Sequence, residues 1–164
     1  MIEYIALGAG AALAGYSIFI ERTAITLTRI ELAFRKLPRQ FDGFAILQLS
    51  DLHIGHWWTL ERRMEEIVNS LDFDLVALTG DITVSSRGAQ LLKEFLTRLP
   101  SGLEIFGVYG NTEHKGRYGD RRRADLDRHG IRMLTNEHVV IERGNQKIIV
   151  AGVDDPYKIG RAHV

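Results

Sequence analysis

Three apolar runs, FAILQLS (44–50), FDLVALTG (73–80) and LEIFGVYG (103–110), each stop one residue short of an oxygen-bearing side chain: Asp51, Asp81 and Asn111. These positions are evenly spaced, at 51, 81 and 111, an interval close to one strand–helix–strand unit. Amphipathic stretches fill the intervals. After Thr59, a candidate cap, LERRMEEIVNSL lines up Leu60, Met64, Ile67, Val68 and Leu71, and RGAQLLKEFLTRL makes a second such face before Pro100. FDLVALTG has the unbroken apolar character of a central parallel strand. Alternation of strand and helix predicts an α/β class with a parallel sheet. Parallel strands joined by right-handed crossovers bring their carboxyl ends to one edge, where open α/β sheets place their sites. Asp51, Asp81 and Asn111 are therefore expected at a common rim. If the segment after Asp51 runs extended, residues two apart point the same way and His53 joins them.

The flanks read as follows. TAITLTRIELAF (23–34) is rich in β-branched residues and partly alternating, which predicts a strand ended by Pro38 and the Asp42-Gly43 turn. Asp120 opens a helix through RRRADLDRHG, with Gly130 as its stop. IRML, HVVIER and KIIVAGV are expected as short strands, the last two paired as a hairpin across Gly144-Asn145. Residues 23–164 thus form one domain, long enough for a substantial core. Residues 1–22 are a separate object, because YIALGAGAALAGYSIFI carries no charge and is near the short limit for crossing a bilayer as a helix. Ala6, Gly10 and Ala14 recur every four positions, as at close helix contacts in membranes. The reading taken is a single-pass anchor. A cleaved signal peptide lacks its basic start and cleavage site here, and a buried soluble helix is the third alternative. Arg22, Arg29, Arg35, Lys36 and Arg39 follow the segment, a bias toward a cytoplasmic body.

Composition narrows the chemistry. The chain has no cysteine, so disulfides and thiolate–metal sites are excluded. Its 21 basic and 21 acidic residues balance, so no nucleic acid is expected as a partner. Two Asp, one His and one Asn at a rim suit a divalent cation of mixed oxygen and nitrogen preference, such as Mn, Fe or Zn. Gly80 and Gly110 stand directly before two of these residues and let the backbone turn sharply there.

DLHIG (51–55), GDIT (80–83) and GN (110–111) resemble the first three motifs of the calcineurin-like metallophosphoesterases. The flanking LPRQFDGFAILQLSDLHIGH and VAGVDDPY resemble the membrane-associated bacterial branch of that superfamily, over about residues 23–160. The resemblance implies a sandwich with a parallel-rich sheet flanked by helices, preceded here by the apolar N-terminal helix. It also implies a two-metal site, with Asp51 and His53 on one ion, Asp81 bridging, and Asn111 on the second. A hydroxide between the ions would attack a phosphoester, phosphodiester or pyrophosphate in line. With a membrane anchor, a lipid-linked phosphate ester is the expected substrate.

The sequence departs from the family pattern twice. The third motif usually reads Gly-Asn-His followed by an acidic residue, whereas here it is GNTEH, with Thr112 in place of the proton-donating His. His114 is the candidate catalytic substitute, provided the loop stays extended. The family's later histidine ligands, including a Gly-His-x-His motif, are not reproduced by His129, His138 or the terminal RAHV. The chain is accordingly expected to be the amino-terminal part of a longer protein, and inactive by itself. Two rival functions remain: a noncatalytic relative that binds one metal or a partner, and a Mg²⁺-dependent phosphotransferase with an Asp nucleophile, which the Asp-x-His pairing disfavours. His56-Trp57-Trp58 could line a substrate mouth, or form a hydrophobic lid or a membrane-facing patch. Arg121-Arg122-Arg123 could meet a phosphate or anionic head groups, although a solvated helix face is the expected role, as for Glu65-Glu66.

Overall fold

The apolar run around Leu75 forms the strand on which the rest is assembled. The structure, a computed structural model, describes residues 25–55, 61–114 and 119–154. Strand β1 (Ile46–Leu49) pairs in parallel with β2 (Leu75–Thr79), β2 with β3 (Glu104–Val108), and β3 with β4 (Arg132–Met133), in the order β1-β2-β3-β4. Leu49 lies opposite Leu78, and Leu78 opposite Gly107, so the strands end nearly level. Helix α1 (Glu61–Asn69) connects β1 to β2, and α2 (Ser86–Leu96) connects β2 to β3. Ser85 caps α2 by accepting the Gly88 N–H at 3.0 Å. A four-residue turn, α3 (Asn111–His114), and α4 (Gly119–Asp127) lie between β3 and β4. The hairpin β5 (Glu137–Arg143) and β6 (Gln146–Gly152) is antiparallel, and Arg143 pairs with Gln146 across residues 144–145 as expected.

Alternation along β2 explains the layers. Val76 and Leu78 join Leu47, Leu49, Met64, Val68, Leu92, Phe95 and Leu126 in one cluster, on the helix side. Leu75 and Ala77 point the other way, into a second cluster with Phe41, Phe106, Leu134, Val139 and Ile141. The parallel sheet is thus sandwiched between helices and the hairpin, and each fully buried Leu or Phe contributes about 1.5–3 kcal/mol. The hairpin is also clamped at its turn end. The Asp74 carboxylate accepts the Ala45 N–H at 2.8 Å and pairs with Arg143, whose guanidinium lies 4.6 Å from the Phe44 ring centroid.

One expected element is not formed. Residues 25–34, from the stretch read as a strand, make no ladder among the described residues, and Leu27, Ile30, Leu32 and Phe34 are exposed. Alternation supplies only the side-chain half of a strand; the backbone half needs a neighbour to pair with. A 3₁₀ turn at Arg39–Phe41 then buries Phe41. Among the described residues no helix is long and apolar enough to cross a membrane, and the apolar stretch 4–20 lies outside them.

Candidate metal centre

At the carboxyl ends of β1 and β2 the two chains stay hydrogen-bonded beyond the regular ladder. Asp51 N–H donates to Gly80 O at 3.2 Å, His53 N–H to Asp81 O at 2.9 Å, and Ile54 N–H to Ile82 O at 3.0 Å. These bonds carry Asp51, His53 and Asp81 to one place, where a ligand atom of each lies within 4.8 Å of the others. His53 Nε2 is 3.7 Å from Asp81 Oδ2. Asp51 and His53 are exposed and Asp81 is half-buried.

The convergence is not achieved by an extended segment, and that expectation is corrected. Asp51, His53 and Asp81 all adopt left-handed backbone, with φ of 54°, 45° and 50°. Among the described residues only Asn136 shares this conformation without being a glycine. Left-handed backbone is disfavoured for residues with a β-carbon, and such strain gathers where side chains must be aimed. Here it turns both aspartates and the imidazole onto one spot.

The second loop is locked to the third. A β-carbon on Gly80 would stand 2.9 Å from Gly110 Cα, and one on Gly110 would stand 2.3 Å from Asp81 N. Both glycines are therefore required by the approach of one ligand loop to the other. Thr112 N–H donates to Asp81 Oδ1 at 2.8 Å, leaving Oδ2 toward His53. Asn111 opens α3 immediately after Gly110, half-buried, beside this junction.

Glu113 organises the junction, and the sequence reading passed over it. Its side chain is fully buried, yet the carboxylate accepts four backbone N–H groups: Asp81 at 3.0 Å, Ile82 at 2.9 Å, Thr83 at 3.1 Å and Gly110 at 2.9 Å. A buried carboxylate is tolerable when its lone pairs are filled in this way. The signal was present: an acidic residue three after Gly110, reaching back to that residue's N–H, is half of a capping box.

His114 ends the α3 helical turn, so the extended loop assumed for it does not exist. Its ring is buried, with Nε2 2.8 Å from Asp154 Oδ1 and Nδ1 3.0 Å from Arg123 Nη1. The arginine run is not a solvated face throughout. Arg122 donates to Thr112 O, and Arg123 donates to Glu113 O and pairs with Asp120, while Arg121 is exposed. Both side chains turn inward because the short turn leaves carbonyls that need donors. Glu65, by contrast, meets Arg98 at 3.0 Å on the helix surface, as an ordinary surface pair would. Thr59, Leu60, His56-Trp57-Trp58 and the terminal RAHV lie outside the described residues.

Two carboxylates and an imidazole, aimed together by strained backbone, are a donor set of the right chemistry and spacing for a divalent cation. This arrangement coincides with a family match: the calcineurin-like phosphoesterase model covers residues 44–159. The chain belongs to the calcineurin-like phosphoesterases. Members of that family typically bind divalent metals, and the α/β sandwich agrees with membership. A protein of Bacillus subtilis (strain 168) named uncharacterized metallophosphoesterase YkuE is 30% identical over 161 residues, covering 92% of this chain and 56% of its own length. The transmembrane protein with metallophosphoesterase domain of Danio rerio is 29% identical over 153 residues, 88% of this chain and 35% of that protein. The UDP-2,3-diacylglucosamine pyrophosphatase LpxG of Chlamydia trachomatis is 27% identical over 99 residues, 58% of this chain and 30% of that protein. The chain spans about half or less of the length of the curated relatives it matches. No solved structure matches it.

Proposed function

We propose that this protein hydrolyses a phosphoester, phosphodiester or pyrophosphate bond at a membrane, using two divalent cations held at the rim of its parallel sheet. The observation that carries the reading is the gathering of Asp51, His53 and Asp81 within 4.8 Å. Asp51 and His53 would hold one cation, Asp81 would bridge, and Asn111 would serve the second. When bound, such cations supply a water acidified toward neutral pH and neutralise charge on phosphoryl oxygens. The chain's own part is to aim the donors. Thr112 N–H fixes one oxygen of Asp81, and Glu113 holds the loop that carries it. His114 enters without a proton-donor role, since its Nδ1 faces an arginine and its other nitrogen faces Asp154. With Thr112 in the usual donor position, substrates with good leaving groups are favoured.

The apolar stretch 4–20 supports a single-pass anchor in the cell membrane, and the basic residues after it support a cytoplasmic body. The name of the LpxG relative supports a lipid-linked phosphate as substrate. One observation favours a second reading, a noncatalytic relative that binds one metal or a partner: Thr112 contributes a backbone N–H to the site and no titratable side chain. Metal content of the complete protein and its turnover of an aryl phosphodiester separate the two. Two ions with turnover support hydrolysis; one ion or none without turnover supports the binding protein. Asp81→Asn should cut turnover by more than the roughly 10–100-fold seen when outer-shell partners of a metal site are lost. Retained turnover would sink the bridging role.

A further inference from the structure

We propose that Arg123, His114 and Asp154 form a positioning chain that sets the α3 turn, and through it Asp81 and Asn111, for cation binding. The inference rests on the metal-site reading above and adds what holds that site in shape. The His114 and Asp154 side chains are 4% and 8% exposed, so their contact is a built interior feature. A guanidinium can only donate hydrogen bonds. Arg123 Nη1, 3.0 Å away, therefore makes His114 Nδ1 an acceptor, and the ring proton sits on Nε2, directed at Asp154 Oδ1 2.8 Å away. One tautomer is thus selected by both neighbours at once. Tyr109 meets the ring edge-on at 5.8 Å between centroids and holds its plane. Asp154 is itself anchored, because its backbone N–H donates to Asn136 Oδ1 at 3.1 Å.

A four-residue helical turn has no stability of its own. Its geometry is imposed by what grips it. On one side the grip is this chain of three residues, drawn from α4, α3 and the segment after β6. On the other side the turn passes the Thr112 N–H to Asp81 Oδ1, and the Glu113 carboxylate to the amides of 81–83 and 110. Rotating the His114 end would move both contacts. The residue two after the family's usual histidine position is therefore a positioning residue that acts through Asp81, not a group that meets substrate.

The test uses the full chain in detergent and Mn²⁺ alone as the probe, with affinity read by titration well below the melting temperature of each variant. His114→Ala and Asp154→Ala should weaken Mn²⁺ binding about 10–100-fold. Asp154→Asn keeps an acceptor for the Nε2 proton and should stay within about threefold of wild type. Variants that melt earlier but bind Mn²⁺ as wild type does would show a merely structural role and overturn the proposal. If wild type does not bind Mn²⁺, or Asp81→Asn binds it as tightly as wild type, the metal-site reading falls, and this inference with it. A second measurement needs neither metal nor variant. Nitrogen-15 spectra of labelled histidine in the metal-free chain should show His114 protonated at Nε2 and bare at Nδ1. The opposite tautomer overturns the chain as drawn.

Discussion

At the scale of single residues, the site is built from conformations that folding alone would avoid. Asp51, His53 and Asp81 hold left-handed backbone, which glycine adopts without penalty. His53→Gly should therefore leave the metal-free protein as stable as wild type or up to about 1 kcal/mol more stable, while abolishing cation binding. Thermal melting and Mn²⁺ titration read the two effects. A loss of more than about 1 kcal/mol would show that the backbone there is not strained. Glu113 presents the opposite case, a charged group that the fold cannot do without. In Glu113→Gln an amide NH₂ must face N–H donors, leaving buried groups unpaired at roughly 1–3 kcal/mol each. The expected loss is roughly 2–5 kcal/mol in denaturant unfolding. An unchanged midpoint would mean that the carboxylate is dispensable.

At the scale of elements, the clamp between Asp74, Arg143 and two phenylalanines fastens the hairpin to the loop before β1. The pair is about one-third exposed, which keeps its contribution small, and the planar stacking of the guanidinium is the part that lysine cannot copy. Arg143→Lys should therefore cost most of what Arg143→Ala costs, about 1 kcal/mol in thermal unfolding, and full retention by lysine would count against stacking. The elements legible in the sequence were those with a period to read. The three parallel strands, α1, α2 and the hairpin follow from apolar spacing. The run at 23–34 had the right alternation, but among the described residues 25–34 find no neighbour to pair with. Helix α3 escaped notice because four residues cannot display a 3.6-residue repeat. The inward turn of Arg122 and Arg123 was hidden for a related reason, since a charge run reveals its direction only once the carbonyls of α3 are placed. Of the site, Asp51 and Asp81 were legible from spacing; His53 was named on the premise of an extended segment, which the left-handed backbone replaces, and that strain and the role of Glu113 depend on tertiary contacts.

At the scale of the whole molecule, stability against pH gathers contributions from distant groups. Burial, reinforced by Lys93, holds His129 below its ordinary value of 6.5, so the folded state resists its protonation. That contribution is complete above pH 6.5 and is lost as pH falls below it. Asp74 is held below 3.8: burial pushes it up, but the Ala45 N–H and Arg143 together outweigh that. Its contribution is present above pH 3.8 and disappears on further acidification. Burial and the hydrogen bond to Asp127 raise Tyr109 above 10.0, so the folded protein weakens once unfolded tyrosine ionises above pH 10. The unfolding midpoint should therefore show a broad plateau between about pH 7 and 10, with a first acid shoulder removed by His129→Gln. A shoulder that persists in that variant would assign it to another group.

The contact between Gly80 and Gly110 has a consequence for how such a molecule can diversify. Two loops that touch backbone to backbone and share one carboxylate behave as a single casting, so neither can be lengthened by a residue without unseating the other. New length that reshapes the entrance must be spliced in beyond His53 on one side or beyond His114 on the other, leaving the mould between them untouched.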